Sequence, residues 1–471
     1  MNDAKTKKYA LIIATMTGFL TPFMASAVNI ALPTIAQEFS MDAVLLSWVA
    51  TAYLLAAAIF LVSIGRIADI YGRKKVFSIG IFIYTLSAIL SALSPSGEWL
   101  VFFRFIEGFG AAMIFGTGVA ILSSVFPPGE RGKVFGINVA AVYFGLSVGP
   151  FLGGLLTQTF GWRFIFLSNV PVGVAILVVV FFGFKGKEWK EAEGEKFDYT
   201  GSVIYTLMLI ALMYGLSLLP EITGIWLLIA GFIGLIVFIR WELRVEYPVL
   251  DVTLFKTNKV FAFSNMAALI NYSATFAVGF LLSLYLQFIK GFSPLNAGMI
   301  LLAQPIMQAV FSPLAGRLSD RIEPRIVASS GMSLIVVGLS IFAIIIGETT
   351  ALEYIIISLC ILGLGFALFS SPNTNAIMSS VEKKCYGVAS GMVGTMRLIG
   401  QVTSMSIVML LFSLYIGRIQ IVPETYPLFL VSVRIAFIIF VVLCVVGVFA
   451  SLVRGKLREE DQLAECKLPE N

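Results

Sequence analysis

The chain reads as an all-α polytopic membrane protein, and three observations lead there. Hydrophobic residues make up 59% of its 471 positions and charged residues only 13%, a composition with too little polar surface for a water-soluble fold. Apolar runs long enough to cross ~30 Å of hydrocarbon occur fourteen times. Between two of them lies a charged knot at 65–75, Gly-Arg-Ile-Ala-Asp-Ile-Tyr-Gly-Arg-Lys-Lys, which returns in outline 251 positions later at 316–326. The second copy reads Gly-Arg-Leu-Ser-Asp-Arg-Ile-Glu-Pro-Arg-Ile, with Gly, Arg and Asp at the same offsets. A knot repeated between equivalent apolar runs marks an internal duplication.

Taken in order, the spans are expected near 10–32, 44–64, 76–94, 99–124, 133–158, 163–184, 199–219, 224–243, 260–288, 293–316, 325–346, 351–376, 386–416 and 427–453. Several carry inner Gly or Pro, which membrane helices tolerate because neighbours re-satisfy the freed backbone groups. The first is too long, and lacks the small-residue site, for a cleaved leader, so it is expected to be retained. Residues 1–184 hold six spans. Lys185 to Asp198, rich in Lys and Glu, reads as a solvated loop. Two spans and a second mixed loop complete 185–259, six more spans fill 260–454, and 455–471 is a charged tail.

Charge placement supports the even count. With the amino terminus inside, 26 of the 32 Lys and Arg residues fall in or at the edge of cytoplasmic segments; only Arg163, Lys290 and Arg418 fall outside, and Arg104, Arg397 and Arg434 lie within spans. A missed helix would reverse that bias beyond it, so both ends are expected in the cytoplasm. Trp99, Trp162 and Trp226 at outer ends and Trp241 at an inner end read as an aromatic belt.

The same composition narrows the chemistry. There is no histidine, and the four cysteines are scattered, Cys360 and Cys444 in spans and Cys385 and Cys466 in cytoplasmic segments. Neither a disulfide framework nor a metal site is expected. The net charge of +5 is spread over many segments and follows from topology, so no nucleic-acid partner is expected. A catalytic role is not expected either, since the chain has no nucleophile elbow and no phosphate-binding Gly loop.

The run Trp48-Val49-Ala50-Thr51-Ala52-Tyr53-Leu54-Leu55 leads into the first knot. Trp162-Arg163-Phe164-Ile165-Phe166 is followed by Asn169, Pro171 and Gly173, and Tyr285, Gln287, Gly291, Ser293-Pro294 and Ala297-Gly298 form a third group. Together these resemble, nearly end to end, the second-span, sixth-span and ninth-to-tenth-span signatures of the fourteen-span drug:proton antiporters of the major facilitator superfamily. The resemblance implies two six-helix bundles with two extra central transmembrane helices. It also implies alternating access, multidrug export by exchange against protons and a multi-pass place in the plasma membrane.

Gly136, Gly145, Gly149-Pro150 and Gly153-Gly154 in the fifth span have the spacing of that family's antiporter motif. Small residues let a second helix approach closely and Pro150 removes a backbone donor and favours a kink, which suits a sealing surface; ordinary small-residue packing is the plainer reading. For the knots, Gly65, Asp69, Gly72 and Arg73, with Gly316, Asp320 and Arg325 in the second copy, read as a cytoplasmic latch in which a carboxylate meets a guanidinium and a helix end. A purely topological role for their basic residues is the alternative. In the second copy Glu323 stands at the later Gly's offset and Pro324 follows it, and this change is expected to weaken that latch.

Arg104 and Glu107 are the costly residues. They lie three apart on one face of the fourth span, and Glu107 is about two and a half turns inside Glu98, near the midplane. An ionisable side chain at that depth costs roughly 2.5–3.5 kcal/mol. The family usually carries Gln where this chain has Glu107. Burial opposes the carboxylate's charge and Arg104 supports it, which makes the pair a candidate for proton coupling; a static ion pair is the other reading. Many relatives that expel cations carry an Asp where this chain has Met24, so neutral or weakly anionic amphiphiles are expected as substrates. Asn29, Tyr53, Asn271, Tyr272, Gln304, Gln308 and Gln401 are candidate polar contacts, with Arg397, Met392 and Met396 beside them. Each polar group serves equally well as an interhelical hydrogen bond. A lipid or metabolite carrier of the same fold, without proton coupling, stays open. No cofactor is expected beyond the proton gradient, and the expected partners are a small-molecule substrate and the lipid bilayer, with the chain acting as a monomer.

Overall fold

A computed structural model of the chain describes residues 3–184, 188–246, 248–250, 253–381 and 386–455. Among these it is all helical, and fourteen helices are long and apolar enough to cross a membrane. The first six are α1 (Asp3–Phe39), α2 (Ala43–Tyr71), α3 (Arg73–Ala92), α4 (Gly97–Val125), α5 (Pro128–Phe160) and α6 (Arg163–Gly183). Two follow, α7 (Tyr199–Leu218) and α8 (Ile222–Glu242), then a single short turn, α9 (Thr253–Thr257). The last spans are α10 (Lys259–Leu284), α11 with α12 (Pro294–Leu301 and Ala303–Arg321), α13 (Pro324–Ile345), α14 (Leu352–Ser379), α15 (Tyr386–Tyr415) and α16 (Tyr426–Val453). "Outer" and "cytoplasmic" below follow the Lys and Arg bias.

The ends of these helices are written in the sequence. Asp42 caps α2 by accepting from the Val44 and Leu45 amides at 2.8 Å, and Ser96 accepts from Trp99 at the start of α4. Gly72 sits between α2 and α3 at φ +124°, a conformation that side-chain-bearing residues rarely adopt. Pro324 opens α13 at the matching place in the second knot, where a missing amide hydrogen leaves no bond unmade. Helix α1 runs well past its apolar stretch at both ends, because hydropathy marks only the part in hydrocarbon.

Contacts divide the chain into two compact units. The first holds the chain up to Leu250 with Ala277–Leu302 and Met405–Ser432; the second holds Asp251–Phe276, Ala303–Ser404 and the chain from Val433 on. In the first unit α5 packs along α1, α2 along α4, and α7 against α8 and α2. In the second, α13 and α12 both pack on α14.

One expectation about the belt is corrected. Trp99 and Trp226 are exposed, but Trp162 is only 2% exposed. Its indole donates to Glu38 at 2.7 Å and packs edge-on to Phe39 and Phe166, so it anchors the outer end of α6 to α1 and is no belt residue. A second correction concerns the loop after α6. Its described part, from Glu188, is docked on the first knot through Glu188, Trp189, Glu191 and Glu195, where Lys- and Glu-rich sequence suggested free solvation.

Candidate functional site

The deepest charges of the first unit form one compact group on α4. Glu107 is fully buried and Arg104 is 1% exposed. Three residues apart on one helix, they meet directly, Arg104 Nη1 donating to Glu107 Oε2 at 2.9 Å. Arg104 Nε donates to the Val49 carbonyl of α2 at 3.1 Å, and the guanidinium lies over the Tyr53 ring at 4.3 Å. A delocalised cation resting on an aromatic face and a carbonyl is well satisfied even out of water. The carboxylate is less so. Its Oε1 has no hydrogen-bond partner among the described residues, and its remaining polar neighbour is the fully buried Tyr84 of α3. Close helix approach makes the group possible: a Cβ on Gly108 would strike the Tyr53 backbone. Tyr84 went unread in the sequence because a lone Tyr in an apolar run carries no signal of its own.

Met24, where cation exporters of the resembled family carry an acid, is fully buried, with the Asn169 amide 3.4 Å from its sulfur. The site therefore gains no negative charge from α1.

The fifth-span motif resolves glycine by glycine. A Cβ on Gly145 would meet the Phe19 carbonyl, and one on Gly153 would stand 2.8 Å from the Ala27 carbonyl oxygen, both on α1. On Gly149 it would meet the Ser26 hydroxyl. Gly154 faces the other way, toward the Pro294 carbonyl, while Gly298 of α11 faces the Pro150 carbonyl in return. Gly136 faces nothing within 4 Å. Around this seam Ser283 donates to the Asn29 carbonyl at 2.7 Å, Gln287 to the Ile30 carbonyl at 3.0 Å, and Leu295 N to Gln158 at 3.3 Å. Gly291, at φ +66°, and Ser293, which caps α11, make the turn that brings α11 there.

At the cytoplasmic end, Asp69 accepts from Arg73 Nε at 2.7 Å, and Arg73 Nη1 donates to the Ala120 carbonyl of α4 at 3.0 Å and to Ser124. A Cβ on Gly116 of α4 would stand 3.5 Å from Gly65. In the second knot Asn375 donates to Ser319 at 3.2 Å, Ser319 to the Gly316 carbonyl at 2.8 Å, and Arg325 is half-buried in the first turn of α13. The Asp320 side chain, like Cys385 and Cys466, lies outside what the structure describes.

The predicted substrate contacts split between the units. Asn29 and Tyr53 belong to the first, where Tyr53 carries Arg104 and the Asn29 backbone holds Ser283. Asn271, Tyr272, Gln304, Gln308, Met392, Met396, Arg397 and Gln401 belong to the second. There α10 and α15 touch where Gly400 meets Tyr272, next to Gln401 and one turn from Arg397, and the Gln304 backbone lies against Gly363 of α14. Asn271 is fully buried, and neither atom of its side-chain amide has a hydrogen-bond partner among the described residues. A buried amide left open in this way calls for a partner from elsewhere. The sequence also gave no warning of Arg454, 1% exposed beyond the end of α16. It donates to Asn373 at 2.9 Å and Ser264 at 3.3 Å, and burial pushes it down to about 10. Arg434 donates to the Ile346 carbonyl at 2.9 Å, closing the end of α13.

The model of the Major Facilitator Superfamily matches residues 14–241 and 264–465. The chain belongs to that superfamily. It is 32% identical over 402 residues to the riboflavin transporter RibZ of Clostridioides difficile, covering 83% of this chain and 85% of RibZ. It is 32% identical over 397 residues to the multidrug resistance protein Stp of Mycobacterium tuberculosis, covering 83% and 73%. The crystal structure of a bacterial homolog of the human lysosomal transporter Spinster, inward-facing and occupied, superposes with TM-score 0.64 at 16% identity, over 95% of this chain and 96% of that one. This superfamily member is thus a multi-pass membrane transporter with relatives named for drug efflux.

Proposed function

We propose that this transporter exports amphiphilic small molecules, neutral or weakly anionic, across the plasma membrane in exchange for protons by alternating access. The observation that carries the reading is the buried Arg104–Glu107 pair, whose carboxylate keeps one oxygen open toward Tyr84. A fully buried carboxylate held by one guanidinium has two accessible states, an ion pair and a protonated acid beside a cation satisfied by Val49 and Tyr53. Proton release in one orientation and uptake in the other then needs only a change in access. The buried thioether of Met24 supports uncharged or anionic cargo, and the open amide of Asn271 is the polar contact we assign to it. No soluble cofactor enters this cycle, and the chain works as a monomer in the bilayer.

The RibZ relative favours a second reading, a carrier dedicated to one metabolite of riboflavin's planar, amphiphilic kind. Proteoliposomes separate the two. Efflux of several dyes that is accelerated by an imposed pH gradient, and that loses this acceleration in Glu107→Gln while substrate binding persists, is the expected result. Gradient-driven transport at full rate in Glu107→Gln removes the proton site and leaves a structural ion pair. Transport of flavin alone, indifferent to pH, establishes the metabolite carrier.

A further inference from the structure

The segment from Glu188 to Glu195 connects α6 to α7, and its length alone requires nothing of it. Yet it is bonded to the first knot at every turn. Arg73 N donates to the Trp189 carbonyl at 2.9 Å, and Ala192 N donates back to the Asp69 carbonyl at 3.0 Å. Glu188 accepts from Lys74 N at 2.8 Å, Glu191 from Arg73 Nη1 and Ser124 at 3.2 Å each, and Glu195 pairs with Arg66. Trp189 packs edge-on to Phe184 with ring centroids 5.1 Å apart, and Ala192 is buried. Gly72 lacks a Cβ where one would strike Glu188. The chain then enters α7, which returns to the knot-bearing helix α2 at two higher levels. Tyr205 donates to the Ala58 carbonyl at 3.3 Å, and Tyr214 stands 5.9 Å from Trp48, ring to ring.

We propose that Glu188–Glu195 is a strap that positions the knot during transport, with Glu191 and Glu195 as its positioning residues, and that it couples the two additional helices to α2. Single exposed ion pairs contribute little. Here three carboxylates and two backbone bonds act on the same eleven residues, with the half-buried Trp189 packed on Phe184 beside them, so their small contributions add. A transport cycle that rearranges Asp69 and Arg73 must open the strap first, and the strap therefore sets the rate of that step. This rests on membership of the transporter family and not on proton coupling. It also gives the extra pair of helices a task, since α7 carries the strap's far end and grips α2 at two heights above it.

Hydrogen exchange and flux on the full chain in proteoliposomes test it. In E191Q/E195Q, exchange in 66–75 and 188–195 is expected to rise about tenfold, the effect of losing two cooperating pairs, with a matching change in the efflux rate of a fluorescent dye. Exchange around Arg104 should stay as in wild type. R66E alone should behave like the double variant, and the reversed pair R66E/E195R should regain both protection and rate, which a merely structural loop would not produce. Wild-type exchange and flux in E191Q/E195Q, or no recovery in R66E/E195R, overturns the proposal. Should the variants fail to accumulate, wild type decides alone. Raising salt to about 1 M screens these pairs and should open both segments, and protection unchanged by salt overturns the strap.

Discussion

The outer seam of α5 and the cytoplasmic knot are both contacts that a moving transporter has reason to make and break, yet they are built from opposite materials. Along α5, backbone meets backbone: Gly145 and Gly153 on the α1 carbonyls, Gly154 on Pro294, Gly298 on Pro150. At the knot, guanidinium meets carboxylate: Arg73 with Asp69 and Glu191, Arg66 with Glu195. Packing at van der Waals distance tolerates no added atom and ignores salt. Partly exposed ion pairs weaken by degrees and are screened. The seam should therefore act as an all-or-none stop, and the knot as an adjustable one.

Breaking the seam should give the largest effect. In Gly154→Leu a branched side chain is driven into the Pro294 backbone, which cannot yield as a side-chain tip can. Overpacking of about 1–3 kcal/mol corresponds to a loss of efflux of up to about a hundredfold. Efflux assays at low and high salt, on protein shown to be inserted and monodisperse, should find the loss equal at both. A loss cured by salt would mean that the seam is not steric.

Asp69→Asn comes next. Asn keeps an oxygen for Arg73 Nε but not the charge, so a fall of about tenfold in efflux is expected, in line with one charge-assisted bond lost. Substrate binding should persist, and in wild type high salt should move transport part of the way toward the variant. Transport by Asp69→Asn at the wild-type rate, with normal expression, would reduce the first knot to a topology signal.

The sequence disclosed the parts of this contrast unevenly. Fourteen spans and the first knot's Asp–Arg pair were legible because hydropathy and i,i+4 spacing are local properties, whereas helix ends such as those of α1 and α2 run past the apolar stretch that hydropathy marks. The Arg104–Glu107 contact was legible for the same reason, since three residues on a helix decide it. The strap was not. Glu188, Glu191 and Glu195 look like any solvated linker until a fold carries Arg66, Arg73 and Lys74 beneath them, and that placement depends on contacts more than a hundred residues apart. Trp162 failed likewise, because an interfacial Trp and a Trp buried on Glu38 are indistinguishable in sequence. Nor did spacing say which way each motif glycine faces.

That last gap yields the smallest and sharpest predictions. Gly149 and Gly136 belong to the same motif, but their surroundings differ in kind. At Gly149 the nearest obstacle is the Ser26 hydroxyl, the tip of a short side chain that now donates to the Phe23 carbonyl at 3.2 Å. Gly149→Ala should cost only a few-fold in efflux, about 1 kcal/mol of crowding, and Ser26→Ala in the same chain should restore most of it. Gly136 has nothing within 4 Å to crowd. Alanine there also raises helix propensity by about 1 kcal/mol, so Gly136→Ala should transport as wild type and melt no earlier. If Gly136→Ala instead abolished efflux while Gly149→Ala did not, the seam seen here would not be the contact that the motif glycines serve. The first of them would then have to meet a helix only in another stage of the cycle, and the steric argument would move to that stage.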